Sequence, residues 1–364
     1  MFANSFWTIF LNVMAVPSIV GACWPRKLVY HSFAWSIVFI FILMLPDELM
    51  EKELIRYWNR LHTKMALINA EYGIPVLLEK PVSTTDEDLA SLEGILDTMD
   101  EKTLISFPLR VAPLAVRAKE IIDTGILGKI SQVQGINNVP YARGYYHKWY
   151  RDDEETGGLF LQKSTHDLDL IQFILNEPKP VMISATETKN IFLGNMPAGL
   201  KCKDCQKRGS CPESDINVAT YGDRYEIGEY CSFAVDTGNH DSASIMVQYA
   251  DGMHAVYSQN FVARKAAGRR GLRIIGYNAT LEFEFNSKCI DIFYHNENKN
   301  EHIDMTEECK HSHGGGDLKM IDSYVKMLGG AKSPAPLSYG ILSAKLCLAA
   351  RKSAKENVFV NLKC

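Results

Sequence analysis

Hydrophobic positions along the chain follow two different rhythms. Between Asn59 and Thr124 they alternate between helix and short-strand spacing. Met65, Leu67, Ile68 and Ala70 give a first helix its apolar face, Gly73 ends it, and Ile74–Leu78 reads as a short buried strand. Ser83, Thr84, Thr85 and Asp86 offer capping oxygens before a helix over Leu89–Met99. Leu104–Phe107 reads as a second strand and Pro113–Thr124 as a helix stopped at Gly125. Two strand–helix units in succession imply α/β layering with parallel strands. After Gly128 the period shortens. Ile130–Val139, Ser244–Tyr249, His254–Phe261, Leu272–Ile275, Thr280–Phe285 and Cys289–Tyr294 are strand-like, punctuated by turns such as Ala250-Asp251-Gly252. Helices are expected over Leu159–Leu175, Asp317–Leu328 and Leu342–Glu356, with long loops at 140–160 and 194–240. The fold class is thus α/β plus α+β: a small parallel part, then a large, mostly antiparallel sheet domain with helices on one face.

The front of the chain differs from the rest. Residues 1–25 carry no charge, Arg26 and Lys27 follow, and Leu28–Leu45 is again uncharged. From Pro46 onward charges are frequent, so a boundary falls near Pro46–Asn59. Four readings of residues 1–45 stay open. They fit two short membrane segments split by Arg26-Lys27, each close to the ~20 apolar residues that span a bilayer. They fit a signal peptide less well, because no positive region precedes the first apolar run. They also fit buried parallel strands and a helix of a soluble domain. A translation of a wrong frame or exon is the fourth.

Composition narrows the function. The chain has 364 residues, 46% of them hydrophobic and 23% charged, in the range of soluble globular domains. A formal net charge of -4 with scattered basic residues argues against a nucleic-acid partner. Nine cysteines are too few and too unevenly spaced for a disulfide scaffold. Four of them, Cys202-x-x-Cys205, Cys211 and Cys231, have the thiolate spacing that suits a tetrahedral structural Zn²⁺, and Lys201, Lys203, Lys207 and Arg208 offset the charge of such a site. A disulfide pair or free thiols are the alternatives.

Several segments occur in the order of a known family. Gly73–Pro81, GIPVLLEKP, resembles the strand and Glu-Lys-Pro motif of the Gfo/Idh/MocA oxidoreductases. Asn59-Arg60-Leu61-His62, Leu109–Lys129, Gly157-Gly158 followed by Lys163–Asp169, Ile275-Gly276 before Thr280–Glu282, and His313–Asp317 fit in turn. The resemblance covers roughly residues 59–364. It implies three parts: an atypical apolar N-terminus at 1–58, the remainder of a Rossmann-like dinucleotide-binding domain at 59–125, and a substrate and oligomerisation domain at 126–364. It also implies an NAD(P)-dependent transfer of hydride to or from a sugar, polyol or related carbohydrate, in a cytoplasmic homo-oligomer. A membrane association would run only through residues 1–45. The family's glycine-rich phosphate turn is absent from the sequence before Gly73, where Gly21 stands alone, and no acidic residue precedes Asp47. Binding of NAD or NADP is therefore in doubt, and a catalytically silent binding or regulatory homologue is the alternative.

Hydride transfer from an alcohol needs a group to take the hydroxyl proton. The resemblance gives that role to Lys80 and His166, with Lys163 one helical turn before His166. Glu79, Lys80, Pro81 and His62 are the expected cofactor contacts. The family's carboxylate four residues before the histidine is Gln162 here, which can hydrogen-bond but not accept a proton. Tyr145, Trp149 and Arg151, in an aromatic and basic loop with Tyr146 and His147, join Gln162 as expected substrate contacts. Asp167 and Asp169 read as capping and packing residues.

Overall fold

A computed structural model describes residues 58–220, 228–310 and 312–362. The four readings of residues 1–45 fall outside these described residues.

The first rhythm yields the expected elements. α1 (Trp58–Tyr72) ends at Gly73, and β1 (Val76–Leu78), α2 (Asp86–Glu93), β2 (Thr103–Ile105) and α3 (Pro113–Asp123) follow. β1 and β2 pair in parallel, with Val76 opposite Thr103 and Leu78 opposite Ile105. α2 begins earlier than its apolar residues suggest. Thr85 Oγ1 accepts a hydrogen bond from the Asp88 amide at 3.1 Å, and Asp86, Glu87 and Asp88 fill the first turn, where carboxylates suit the positive end of a helix. Gly94 interrupts the single helix expected over Leu89–Met99, leaving Leu96–Met99 as a separate turn.

The second rhythm yields one nine-stranded sheet. Its strands are β3 (Ile130–Asn138), β4 (Pro180–Thr188), β5 (Ser242–Tyr249), β6 (His254–Asn260), β7 (Arg269–Gly276), β8 (Ala279–Glu284), β9 (Cys289–Tyr294), β10 (Asn300–Asp304) and β11 (Val360–Asn361). They lie in the order β10-β9-β8-β7-β3-β6-β5-β4-β11. Every pairing is antiparallel except β3 with β6. The sequence reading omits β4, β10 and β11. The inward and outward positions of β4 do not alternate cleanly, β10 is an edge strand of mostly polar residues, and β11 is two residues long.

Three longer helices follow: α4 (Thr165–Ile174), α5 (Gly316–Leu328) and α6 (Leu337–Glu356). α4 lies against β3, β6 and α6, and every residue on it except Phe173 is buried. Gly135 leaves room for the side chains of the neighbouring strands under α4, because a Cβ there would sit 3.0 Å from Leu272 and 3.1 Å from Tyr257. Buried polar groups on α4 must find partners inside the protein, and their partners define the site below. A smaller core of Val139, Ala142, Tyr146, Leu159, Phe192 and Phe261 anchors the loop that follows β3. No helix among the described residues is long and apolar enough to cross a membrane.

Candidate active site

Lys80 sits just past the carboxyl end of β1, where open α/β sheets hold their ligands. Its Nζ donates to the Gln162 carbonyl at 2.8 Å, tying the parallel pair to a segment 82 residues away. Burial, then repulsion from Lys163, pushes the Lys80 ammonium down to about 7. Near neutral pH much of it is free amine, able to take a proton. On the other side of the motif, His62 Nδ1 donates to the Pro81 carbonyl at 2.7 Å, and burial lowers this imidazole to about 4. His62, expected beside the cofactor, therefore pins the turn as a neutral ring. Thr63 Oγ1 bonds the Val82 carbonyl at 2.8 Å and Asn59 Nδ2 the Thr156 carbonyl at 2.8 Å, so α1 clamps both chains that form the site. The Glu79 carboxyl is pushed up, chiefly by burial.

The opposing segment begins at Gly157 and Gly158, both left-handed at φ +80° and +76°. A Cβ on Gly157 would fall 2.3 Å from Leu161 Cδ1, so this turn requires glycine. The chain then enters a π-helical stretch, Phe160–Ser164, before α4. The uniform helix expected over Leu159–Leu175 is thus wider at its start, a distortion often found at functional sites. It carries Gln162 and Lys163, and α4 carries His166, all buried. Burial, then the nearby Lys80 charge, holds His166 well below the usual histidine value. Its ring packs edge-on to Phe107 at 6.1 Å and lies 6.1 Å from the His313 ring. Among the described residues, His166 Nδ1 and Gln162 Nε2 have no hydrogen-bond partner.

Lys163 behaves oppositely to Lys80. Its ammonium donates to Tyr141 Oη at 3.0 Å and stands 4.6 and 4.7 Å from the Tyr141 and Tyr145 ring centres. Burial opposes its charge, but attraction to the two phenols holds it above the ordinary lysine range. Burial likewise opposes ionisation of Tyr141, yet Lys163 and Arg270 outweigh it and lower that phenol. Lys80 is thus the lysine suited to proton exchange, and Lys163 is a fixed cation.

Arg270, at the start of β7, and Tyr141 join this group without having been singled out as site residues, and His313 lies beside His166. Arg270 Nε donates to Asp167 Oδ1 at 2.7 Å. Asp167 Oδ2 accepts from Asn137 Nδ2 and Tyr257 Oη, both at 2.9 Å. Asp169 instead takes two bonds from Arg110, from Nη2 at 2.6 Å and Nε at 3.1 Å. Asp169 is a packing residue, the role read for both aspartates from the sequence, whereas Asp167 holds Arg270.

Not every expected substrate contact points here. Tyr145 does, through Lys163. Trp149 stacks on Tyr150, with ring centres 4.1 Å apart. Arg151 is committed to Thr237 Oγ1 at 2.9 Å, to Asp236 and to the face of Tyr230, which makes it a loop anchor. His147 is fully buried and bonded to Ser232 Oγ at 2.8 Å. Loop composition alone cannot show which side chains turn inward to the smaller core.

Among the described residues every cysteine is a free thiol. Cys202, Cys205, Cys211 and Cys231 share one loop region. Burial, with the neighbouring thiols adding to it, pushes Cys202 and Cys231 up. The four sulfurs do not close to coordination spacing. Among the described residues the one group of three or more metal-ligand side chains with atoms within 4.8 Å is Cys289, Asp291 and His302, on β9 and β10. That group crosses strands, with His302 opposite Asp291, so linear spacing does not reveal it. One concavity of about 810 Å³ opens on the sheet, lined by residues such as Gln134, Ser184, Ser258 and Arg273. It is a sheet surface lined by few titratable side chains, unlike the Lys80–His166 cluster.

Residues 115–282 match the GFO/IDH/MocA C-terminal domain. Levoglucosan dehydrogenase of Pseudarthrobacter phenanthrenivorans is 25% identical over 130 residues, covering 33% of this chain and 31% of that protein. Inositol 2-dehydrogenase of Rhizobium meliloti is 26% identical over 117 residues, covering 32% of this chain and 34% of that protein. The matched stretch thus spans about a third of the length of these curated relatives. A solved levoglucosan dehydrogenase in complex with NADH and levoglucosan superposes with a TM-score of 0.62 at 16% identity, covering 83% of this chain and 77% of that one. An oxidoreductase domain protein from Kribbella flavida gives 0.65 at 16%, covering 84% and 79%. These superpositions establish a shared fold, and residues 115–282 carry the match to the GFO/IDH/MocA C-terminal domain.

Proposed function

We propose that the chain is a nicotinamide-dependent oxidoreductase acting on a sugar, polyol or related carbohydrate. The observation that carries this reading is Lys80. It is pushed down to about 7 and bonded to the backbone of the segment that presents Gln162 and His166. A base poised near the working pH is what proton removal from a hydroxyl requires. The relatives' names support the substrate class, since they include levoglucosan dehydrogenase and inositol 2-dehydrogenase.

The residues of the site fit the cofactor: Lys80 stands just past the carboxyl end of β1, and the buried His166 Nδ1 and Gln162 Nε2 are unspent. Glu79, Lys80 and Pro81 would border a nicotinamide. When bound, that ring takes up or gives the hydride. The chain's own residues do the rest. Lys80 takes the hydroxyl proton as free amine. Gln162 donates to a substrate oxygen from Nε2 and cannot titrate. His166, kept neutral by burial, orients the hydroxyl or relays the proton. No glycine-rich turn occurs between residues 1 and 72 of the sequence, so these residues are expected to hold the cofactor's phosphates weakly.

The test is reduction of NAD or NADP at millimolar concentration by the full chain with a panel of sugars and polyols. Turnover lowered by about 10²–10⁴-fold in Lys80→Met supports the reading. No turnover with any of them, or full turnover in Lys80→Met, removes it. We also propose that the loop of Cys202, Cys205, Cys211 and Cys231 closes on one structural Zn²⁺. The neighbouring cationic side chains and the absence of disulfides among the described cysteines support it.

A further inference from the structure

The hydrogen-bonding inventory of the site is lopsided. Arg270 Nη2 and Gln162 Nε2 are buried donors without a partner among the described residues. Lys80 spends one N–H on the Gln162 carbonyl, and Lys163, the fixed cation, bonds the Tyr141 hydroxyl, is also drawn to Tyr145, and keeps a further N–H. On the acceptor side, Asp167 is already filled by Arg270, Asn137 and Tyr257. The Glu79 carboxyl is pushed toward its neutral form by burial. Lys80, Lys163 and Arg270 lie close enough that the other two both depress Lys80. All three also depress His166. This is a surplus of positive charge and of donors in a largely buried place, where unpaired groups cost the most.

Such a surplus does not suit a neutral polyol alone, whose hydroxyls carry no charge and each bring a further donor that needs an acceptor. It suits a ligand with a carboxylate, which brings acceptors only. Arg270 is set up for that role. Asp167 grips its Nε edge and is itself held by two further hydrogen bonds, so the guanidinium is fixed in direction while Nη2 stays open. A planar guanidinium fixed on one edge is the preferred partner of a carboxylate. Lys163 stands over Tyr141 and Tyr145, the flat apolar surfaces a sugar ring can lie on. We infer that the site selects an acidic sugar, a uronate or aldonate, whose carboxylate is held by Arg270 and Lys163 while a hydroxyl meets Lys80 and His166. This rests on the carbohydrate reading above and narrows it.

The test is calorimetric titration of the full chain with D-glucuronate and D-gluconate against D-glucose and myo-inositol, at low and high salt. At least one acid is expected to bind ten-fold or more tighter than both neutral compounds. That preference should shrink as salt rises and fall at least five-fold in Arg270→Gln and in Lys163→Gln. Lys163→Gln leaves the Asp167–Arg270 pair intact, so it decides the matter if Arg270→Gln does not fold. Neutral compounds binding as tightly as the acids overturn the acid preference and leave the carbohydrate reading standing. An acid preference unchanged in Lys163→Gln and in a folded Arg270→Gln overturns the assignment of these cations. Binding of acetate as tight as that of the acids also overturns it, because a bare carboxylate would then suffice. No binding of any of the four sugars removes the carbohydrate reading together with the inference.

Discussion

Two aspartates two residues apart on α4 each hold an arginine, yet the two pairs serve different ends. Arg110 gives two bonds to Asp169 and one to Glu177 at 2.8 Å, and its guanidinium lies 4.4 Å from the Tyr339 ring centre and 5.1 Å from that of Phe173. None of its side-chain nitrogens is among the unpartnered buried atoms. Arg270 gives Asp167 one bond and keeps Nη2 unspent. Residues at this spacing leave a helix in well-separated directions, so α4 can carry a structural pair and a site-facing pair at once. Saturation marks the first as scaffold, and the unspent valence marks the second as a binding group.

Breaking each pair should separate the roles. Arg110→Ala strands the buried Asp169 carboxylate, whose pKa burial already pushes up to about 6. A loss of about 3–5 kcal/mol in unfolding free energy is expected, read by urea denaturation. Arg270→Gln should cost less, about 1–3 kcal/mol, because Asp167 keeps Asn137 and Tyr257. Equal losses in the two variants would abolish the distinction.

Acid should weaken the fold through its buried neutral imidazoles. Burial lowers His147 to about 4 from an ordinary value of 6.5. The unfolded chain binds a proton below 6.5 that the folded chain refuses until about 4, so stability contributed by this group is present above 6.5 and is lost as pH falls through that window. The full shift corresponds to about 3 kcal/mol for His147, and His62 adds in the same direction. Melting temperatures that stay flat between pH 6.5 and 4 would contradict the burial of these rings.

Zinc gives a yes-or-no outcome. Metal analysis should find about one zinc per chain, lost in the Cys202→Ser, Cys205→Ser double variant. Metal-free protein, or a Cys202–Cys205 disulfide, removes the proposal. The smallest expected effect belongs to Gln162→Asp. A carboxylate beside Lys80 and Lys163 favours the ammonium, so the Lys80 midpoint should rise by about 1 unit and the pH profile of turnover should move with it. Loss of turnover at every pH would instead mean that the amide itself holds the substrate.

What the sequence revealed follows from what period and spacing can encode. β9 has the bounds expected over Cys289–Tyr294, because its apolar side chains alternate cleanly. β4 escapes because its burial does not alternate. Lys80, Gln162 and His166 were legible through a motif at a strand end and a turn of two glycines. Arg270 was not, because its role depends on β7 lying beside β3, which sets Arg270 opposite Asn137 near Asp167. Arg151 misled because an arginine in an aromatic loop looks the same in sequence whether it faces a ligand or, as here, Asp236 and Thr237.

The central claim is that Lys80 is a base tuned by burial and by Lys163. The most direct measurement needs neither cofactor nor substrate. The titration of Lys80 can be followed in the full chain by NMR of ¹³Cε-labelled lysine, its signal assigned by loss in Lys80→Met. A midpoint near 7 is predicted, rising toward the ordinary value when Lys163→Gln removes the neighbouring charge. A midpoint near the ordinary 10.5 in the unaltered chain would contradict the account.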